Sequence, residues 1–208
     1  MNLPELNSED ISIRVKEFVS GLKSYKVPVD IEGIIESQNI EIVPVPFLKK
    51  KFGVESGTIS KFDKIFVDRS RYRSERYYVY VRYAMAYELG HIVMHQGILN
   101  SKNSYKTTEE WVRFMRRDED WEYWILKYQA NVFARALLIP EEPLFKATEE
   151  LEDDAEFAAL FGVTAVMFRR RLSDNDRVLD EVNRIVEKRD NEDNDRLGTI
   201  ISSYFKLN

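Results

Sequence analysis

The chain of 208 residues contains two histidines, and both fall in one stretch, Ala84 to His95, reading AMAYELGHIVMH. A helix that holds zinc for hydrolysis uses the pattern H-E-x-x-H. Four residues turn a helix by about 400°, so both imidazoles face the same side, and the glutamate beside the metal polarises a bound water. His91 stands at the second-ligand position, Glu88 at the general-base position, and Tyr87 where the first histidine belongs. A neutral phenol with a pKa of about 10 is a poor zinc donor beside an imidazole. His91 and His95 are also four apart, so Glu88, His91 and His95 form a second conceivable set on one helix face. The other role for His95 is a packed ring under the helix end, bonded to a loop carbonyl.

These groups need a helix, and residues 69–97 supply one that ends near Gly97, with a start blurred by tyrosines and valine. Before it, residues 9–25 carry apolar positions mostly three and four apart, as on an amphipathic helix with its cap in Ser8-Glu9-Asp10. Asp30 opens a short helix, and Pro44 and Pro46 confine a strand over 40–45 to an edge or an end. GTISKFDKIFVD alternates like a hairpin turning at 61–64. Beyond a polar loop in which Thr107 or Thr108 can cap, helices are expected over 109–115 and over 119–138, the second stopped by Pro140. Two or three short helices follow. The last thirty residues begin helical and become polar through EKRDNEDNDR, a solvated face or frayed segment. LGTIISSYFKLN ends the chain with an amphipathic pattern.

With 44% hydrophobic and 32% charged residues the chain has the composition of a folded domain, and its net charge of -5 argues against attraction of the whole surface to nucleic acid or anionic lipid. Zero cysteines exclude disulfides and thiolate metal sites. No apolar run approaches the roughly 18 residues of a membrane helix, so a cytoplasmic protein without membrane contact is expected. FGVTAVMFRRRL reads as a helix-turn-helix with Gly162 in the turn, Thr164 as cap and Arg169, Arg170 and Arg171 on the second helix. Three adjacent arginines point in three directions. Direct DNA binding is therefore not expected, and a DNA-binding regulator acting through this helix is kept as an alternative.

The stretch YAMAYELGHIVMH resembles the FTLAHELGHILLH type of helix in the ImmA/IrrE metallopeptidase family, the M78 peptidases once called DUF955. KYQANVFARALLIP, residues 127–140, is similar to that family's EYQANxFAxxLLMP segment, with Gln129, Ala130, Asn131, Phe133, Ala134, Leu137, Leu138 and Pro140 in place. AALFGVTAVMFRRRL is similar to the family's tail, so the likeness spans about residues 29–172. The resemblance implies an α+β, zincin-like fold: a small antiparallel sheet packed on the HExxH-type helix, with a helical C-terminal part. It implies a zincin-like domain over 1–140, its core from about 29, and a helical extension over 141–208, helix-turn-helix-like around 155–172. In the family the third zinc ligand is a glutamate two residues before Gln-Ala-Asn, and that position is Lys127 here.

Two of three expected ligands have thus changed. No metal is expected at the remnant site of Tyr87, His91 and Lys127, with zinc only if the site is active after all. Glu88 is then a vestigial general base, and His95 a possible alternative ligand. Lys127 is expected to pair with Glu88 in place of the metal, with Tyr87 donating to Glu88 or His91. Asn131 is expected to bond a loop backbone, and the apolar residues beside it need only a core-packing role. The resemblance implies regulation: a pseudopeptidase that binds a helix-turn-helix transcriptional regulator of a mobile element, stress response or toxin-antitoxin system. The alternative is an active zinc metallopeptidase that cleaves such a repressor with unusual ligands.

Overall fold

The computed structural model describes residues 5–58, 62–102 and 121–205, and the side chains within 5–58, 62–97 and 124–191. The chain is α+β and mostly helical. The expected caps at Thr107 and Thr108, the helix over 109–115 and the pattern of the last residues' side chains lie outside what is described.

Helix α1, Ser8–Ser20, starts at Asn7, whose side chain accepts from the Asp10 N–H while Asp10 reaches back to the Asn7 N–H. The cap is therefore one residue earlier than expected, and the helix stops at Gly21. Helix α2, Ile31–Ser37, is capped by Asp30 as the sequence predicts. Strand β1, Glu41–Val45, short helix α3, Leu48–Phe52, and strands β2, Ser56–Thr58, and β3, Lys64–Asp68, complete the sheet and its connection.

The sheet order is β1-β3-β2. β2 and β3 pair antiparallel as a hairpin, Gly57 opposite Phe66, whereas β1 pairs parallel with β3, Ile42 opposite Ile65. The sheet is thus mixed and not wholly antiparallel. The segment through α3 carries the chain past the far side of the place that β3 later fills, and β3 returns beside β1 in the same direction. β1 stays at an edge, as its prolines require.

A one-turn helix α4, Arg69–Tyr72, leads into α5, Glu75–Lys102, which carries Glu88, His91 and His95. It runs through Gly97 because a helical glycine costs only about 1 kcal/mol against alanine and does not by itself stop the helix. Helix α6, Trp121–Leu138, crosses α5 closely at Gly90, where an added Cβ would lie 3.1 Å from Phe133 and 3.3 Å from the Ala130 carbonyl. Then come α7, Glu141–Thr148, α8, Asp154–Phe161, α9, Ala165–Ser173, and α10, Asp176–Phe205. The acidic run lies inside α10, which is helical throughout.

One hydrophobic cluster joins Ile11 of α1, Ile65 of β3, Leu89 of α5, Phe133 of α6, Phe161 of α8 and Val178 of α10. The C-terminal helices share that core with the sheet. Gly162 turns α8 into α9 in the left-handed conformation, φ 62°, and the Thr164 hydroxyl caps α9 by accepting from the Met167 N–H at 3.2 Å. Arg171 of this pair is buried, and its Nε donates to the Ile139 carbonyl at 3.2 Å. Only Arg169 and Arg170 of the three arginines face solvent. No helix among the described residues is long and apolar enough to cross a membrane.

Candidate functional site

Helix α5 passes over β2, and Glu88, His91 and His95 are all buried where α5 meets β2 and α6. The Ser56 hydroxyl donates to Glu88 Oε1 at 2.9 Å, while Oε2 has no partner among the described residues. Burial raises the Glu88 pKa from 4.5 to about 7, against the pull of the Ser56 hydroxyl and the Thr58 backbone N–H. Near pH 7 the carboxyl is thus about half protonated. Its hydrogen-bonding groups come from β2 and not from Lys127, so the expected Lys127–Glu88 pair is absent. A half-protonated carboxyl does not need an ammonium.

The two histidines form a chain. His91 Nδ1 lies 3.0 Å from His95 Nδ1, and His95 Nε2 lies 2.9 Å from Gln129 Oε1. Burial lowers both pKa values, that of His95 to about 4, so both rings are neutral near pH 7. With the Gln129 oxygen assigned as acceptor, His95 carries its proton on Nε2 and offers Nδ1 to the His91 Nδ1–H. His91 Nε2 is then a bare lone pair, buried and without a hydrogen-bond partner among the described residues. His95 has both nitrogens engaged, and its partners are side chains and not the loop carbonyl expected.

The Tyr87 ring stands edge-on to His91, centroids 4.7 Å apart. Lys127 is half-buried on α6, and its charge depresses the His91 pKa further. Asn131 Nδ2 donates to the Lys127 carbonyl at 2.8 Å, and Asn131 Oδ1 accepts from Tyr83 at 2.7 Å, so it fastens α6 to α5 and not to a loop. Arg135 donates to the Tyr83 oxygen at 3.0 Å and forms a two-pronged bond with Asp174, which carries the network to the end of α9.

Sequence reasoning brought Tyr87, Glu88, His91 and Lys127 to one place but gave Ser56, Thr58, Tyr83 and Arg135 no bond there. Gln129 was visible as part of a motif but had no role. The neighbours of Glu88 on β2 come from a strand with no local signal linking it to the helix.

A small mixed sheet whose edge strand lies along a helix bearing a glutamate, with a histidine three residues on, defines a zincin-like protein. The chain belongs to the M78 peptidase family: residues 68–173 match that family's IrrE N-terminal-like domain. The match runs across Pro140 and takes in the α8–α9 pair. A search of curated proteins finds no significant match.

Proposed function

We propose that this M78 domain is a non-catalytic, protein-binding member of its family that acts on a helix-turn-helix regulator. The observation that carries the reading is the donor set at the positions where the resemblance puts zinc ligands: the Tyr87 phenol, the His91 imidazole and the Lys127 ammonium. A protonated lysine has no lone pair and sets positive charge where a divalent cation needs negative charge. Among the described residues, no group of three or more histidine or carboxylate side chains stands close enough to hold a metal. The donor set does not fit zinc, and no hydrolytic step follows from it.

The body of a peptide-binding cleft is retained. β2 is a sheet edge beside α5, and Gly57 has open space where a side chain would be. Strand addition at such an edge gives affinity through backbone hydrogen bonds and specificity through alternate side chains. A cytoplasmic setting is part of the proposal, because a transcriptional regulator is met there.

Two measurements test the reading. Metal analysis of protein purified without chelator is expected to find no stoichiometric zinc; one zinc per chain, lost in His91→Ala, would sink the non-catalytic reading. Co-purification with regulators encoded beside the gene is expected to retain one of them, and failure to capture any would remove the proposed partner.

A further inference from the structure

β1 and β3 run parallel and finish at the same end of the sheet, and three basic segments meet there. Helix α3 brings Lys49, Lys50 and Lys51, all exposed. α4 brings Arg69 and Arg71, and the turn into α5 with its first residues brings Arg73 and Arg76. Bonds place Lys49, Arg69 and Arg71 on one surface, with Lys50 beside Phe47 and Arg76 beside the Tyr77 ring that Arg71 also meets. The Lys49 N–H donates to Asp68 Oδ2 at 2.8 Å, and the Arg69 guanidinium donates to the Pro44 carbonyl at 3.2 Å. The Glu55 carboxylate meets Arg71 at 2.7 Å and Lys49 at 3.4 Å. These segments carry seven cations against four carboxylates, Glu55, Asp68, Glu75 and the Glu32 that Tyr72 and Tyr78 bond, an excess of three positive charges in a chain whose net charge is -5. The net charge that argued against nucleic acid averages this end with an acidic remainder.

Aromatic rings lie among these cations. Phe47 is 61% exposed, with Lys50 Nζ 6.0 Å from its ring centroid. Its backbone is left-handed, φ 60°, a conformation that costs a bulky residue on the order of 1 kcal/mol or more. The guanidiniums of Arg71 and Arg76 lie 4.7 and 5.5 Å from the Tyr77 ring centroid, and Tyr80, one turn on from Arg76, is 44% exposed.

We infer that the end of the sheet formed by α3, α4 and the start of α5 is a binding surface for single-stranded nucleic acid. Guanidinium forks and lysines suit phosphate oxygens, and the exposed rings of Phe47 and Tyr80 suit unstacked bases. An acidic protein would use the charge and leave the exposed rings without a role. A duplex would keep its bases from them. The surface adjoins the start of β2 at Glu55, but none of its cations bonds Glu88, so this inference does not depend on whether the protein cleaves anything.

The test is fluorescence anisotropy of labelled dT20 and rU20 with the full chain at 50 and 200 mM salt. Binding is expected to weaken with salt, and the triple variant Lys50→Glu, Lys51→Glu, Arg73→Glu is expected to weaken it by about tenfold or more at low salt while flattening the salt dependence. Phe47→Ala is expected to weaken it severalfold with the salt slope unchanged, because the ring meets bases and not phosphates. These side chains are exposed, so melting temperatures serve as the folding control, and Lys51→Glu alone replaces the triple variant if that melts early. Arg184→Glu, on α10, is expected to leave binding unchanged. No binding at 50 mM salt would overturn the inference. So would equal competition by polyglutamate with no effect of Phe47→Ala, which would point to an acidic protein, or equal weakening by Arg184→Glu, which would show only a general charge effect.

Discussion

The Ser56 hydroxyl of β2 donates to Glu88 Oε1 of α5 at 2.9 Å, so the edge strand of the sheet is fastened to the buried carboxyl of the α5 motif. The bond favours the ionised carboxylate. Ser56→Ala is therefore expected to push the Glu88 pKa above about 7, which carboxyl NMR or infrared titration would detect. An unchanged pKa would mean that the hydroxyl donates elsewhere.

The same carboxyl gives stability a pH dependence. Its folded pKa is raised from 4.5 to about 7, so its contribution is full below pH 4.5 and lost as pH rises through 7. His91 and His95 act with the opposite sign. Their folded pKa values are lowered from 6.5, that of His95 to about 4, so their contributions hold above 6.5 and are lost as pH falls toward 4. Between pH 6.5 and 8, wild type is expected to lose about 1 kcal/mol relative to Glu88→Gln in urea unfolding, and both proteins are expected to weaken steeply below pH 6. A difference that does not vary with pH would show Glu88 ionised in the fold.

Restoring the missing donors is expected to restore the metal. Tyr87→His with Lys127→Glu should take up zinc at micromolar concentration by calorimetry, and neither single change should. His91 already presents Nε2 unprotonated. If the folded double variant binds no zinc, position 127 is not where the third ligand belongs.

Two arginines two residues apart on α9 are expected to behave differently. Arg171 is 1% exposed and faces Glu141 at 3.6 Å, so Arg171→Ala is expected to cost about 3 kcal/mol or more by leaving buried polar groups unmatched. Arg169, on the surface beside Asp154, is expected to change stability by no more than about 0.5 kcal/mol when replaced by alanine. Urea midpoints compare them directly, and similar losses would mean that Arg171 is less enclosed than its contacts indicate.

At the crossing of α5 and α6, Gly90→Ala places a methyl 3.1 Å from Phe133 and 3.3 Å from the Ala130 carbonyl. Gly to Ala normally stabilises a helix. Here the backbone contact cannot yield as a side chain can, and a loss of about 1 to 3 kcal/mol is expected from thermal unfolding. A gain would show that the helices can separate at little cost.

What was legible in the sequence follows from the range of the interactions. The α5 motif, the Asp30 and Thr164 caps, the Gly162 turn and the edge position of β1 are set by residues a few places apart, and each was read from local pattern. The parallel pairing of β1 with β3 is set by which strand fills the middle of the sheet, and no local alternation records that. The bonds of Glu88 to β2 and of His95 to Gln129 cross between elements in the same way. The expected Lys127–Glu88 pair was placed from sequence position alone, whereas the side-chain donor that reaches Glu88 comes from Ser56 on another element.

The order of strands also orders assembly. β2 and β3 are joined by a few residues and can zip as a hairpin within microseconds, whereas β1, emerging earlier from the ribosome, has no partner until β3 exists. For that interval β1 is a sticky strand in a crowded cell. Pro44 within it and Pro46 just after it remove two donors that a foreign strand would need, so the residues that hold β1 at the rim of the finished sheet also guard the nascent chain against aggregation.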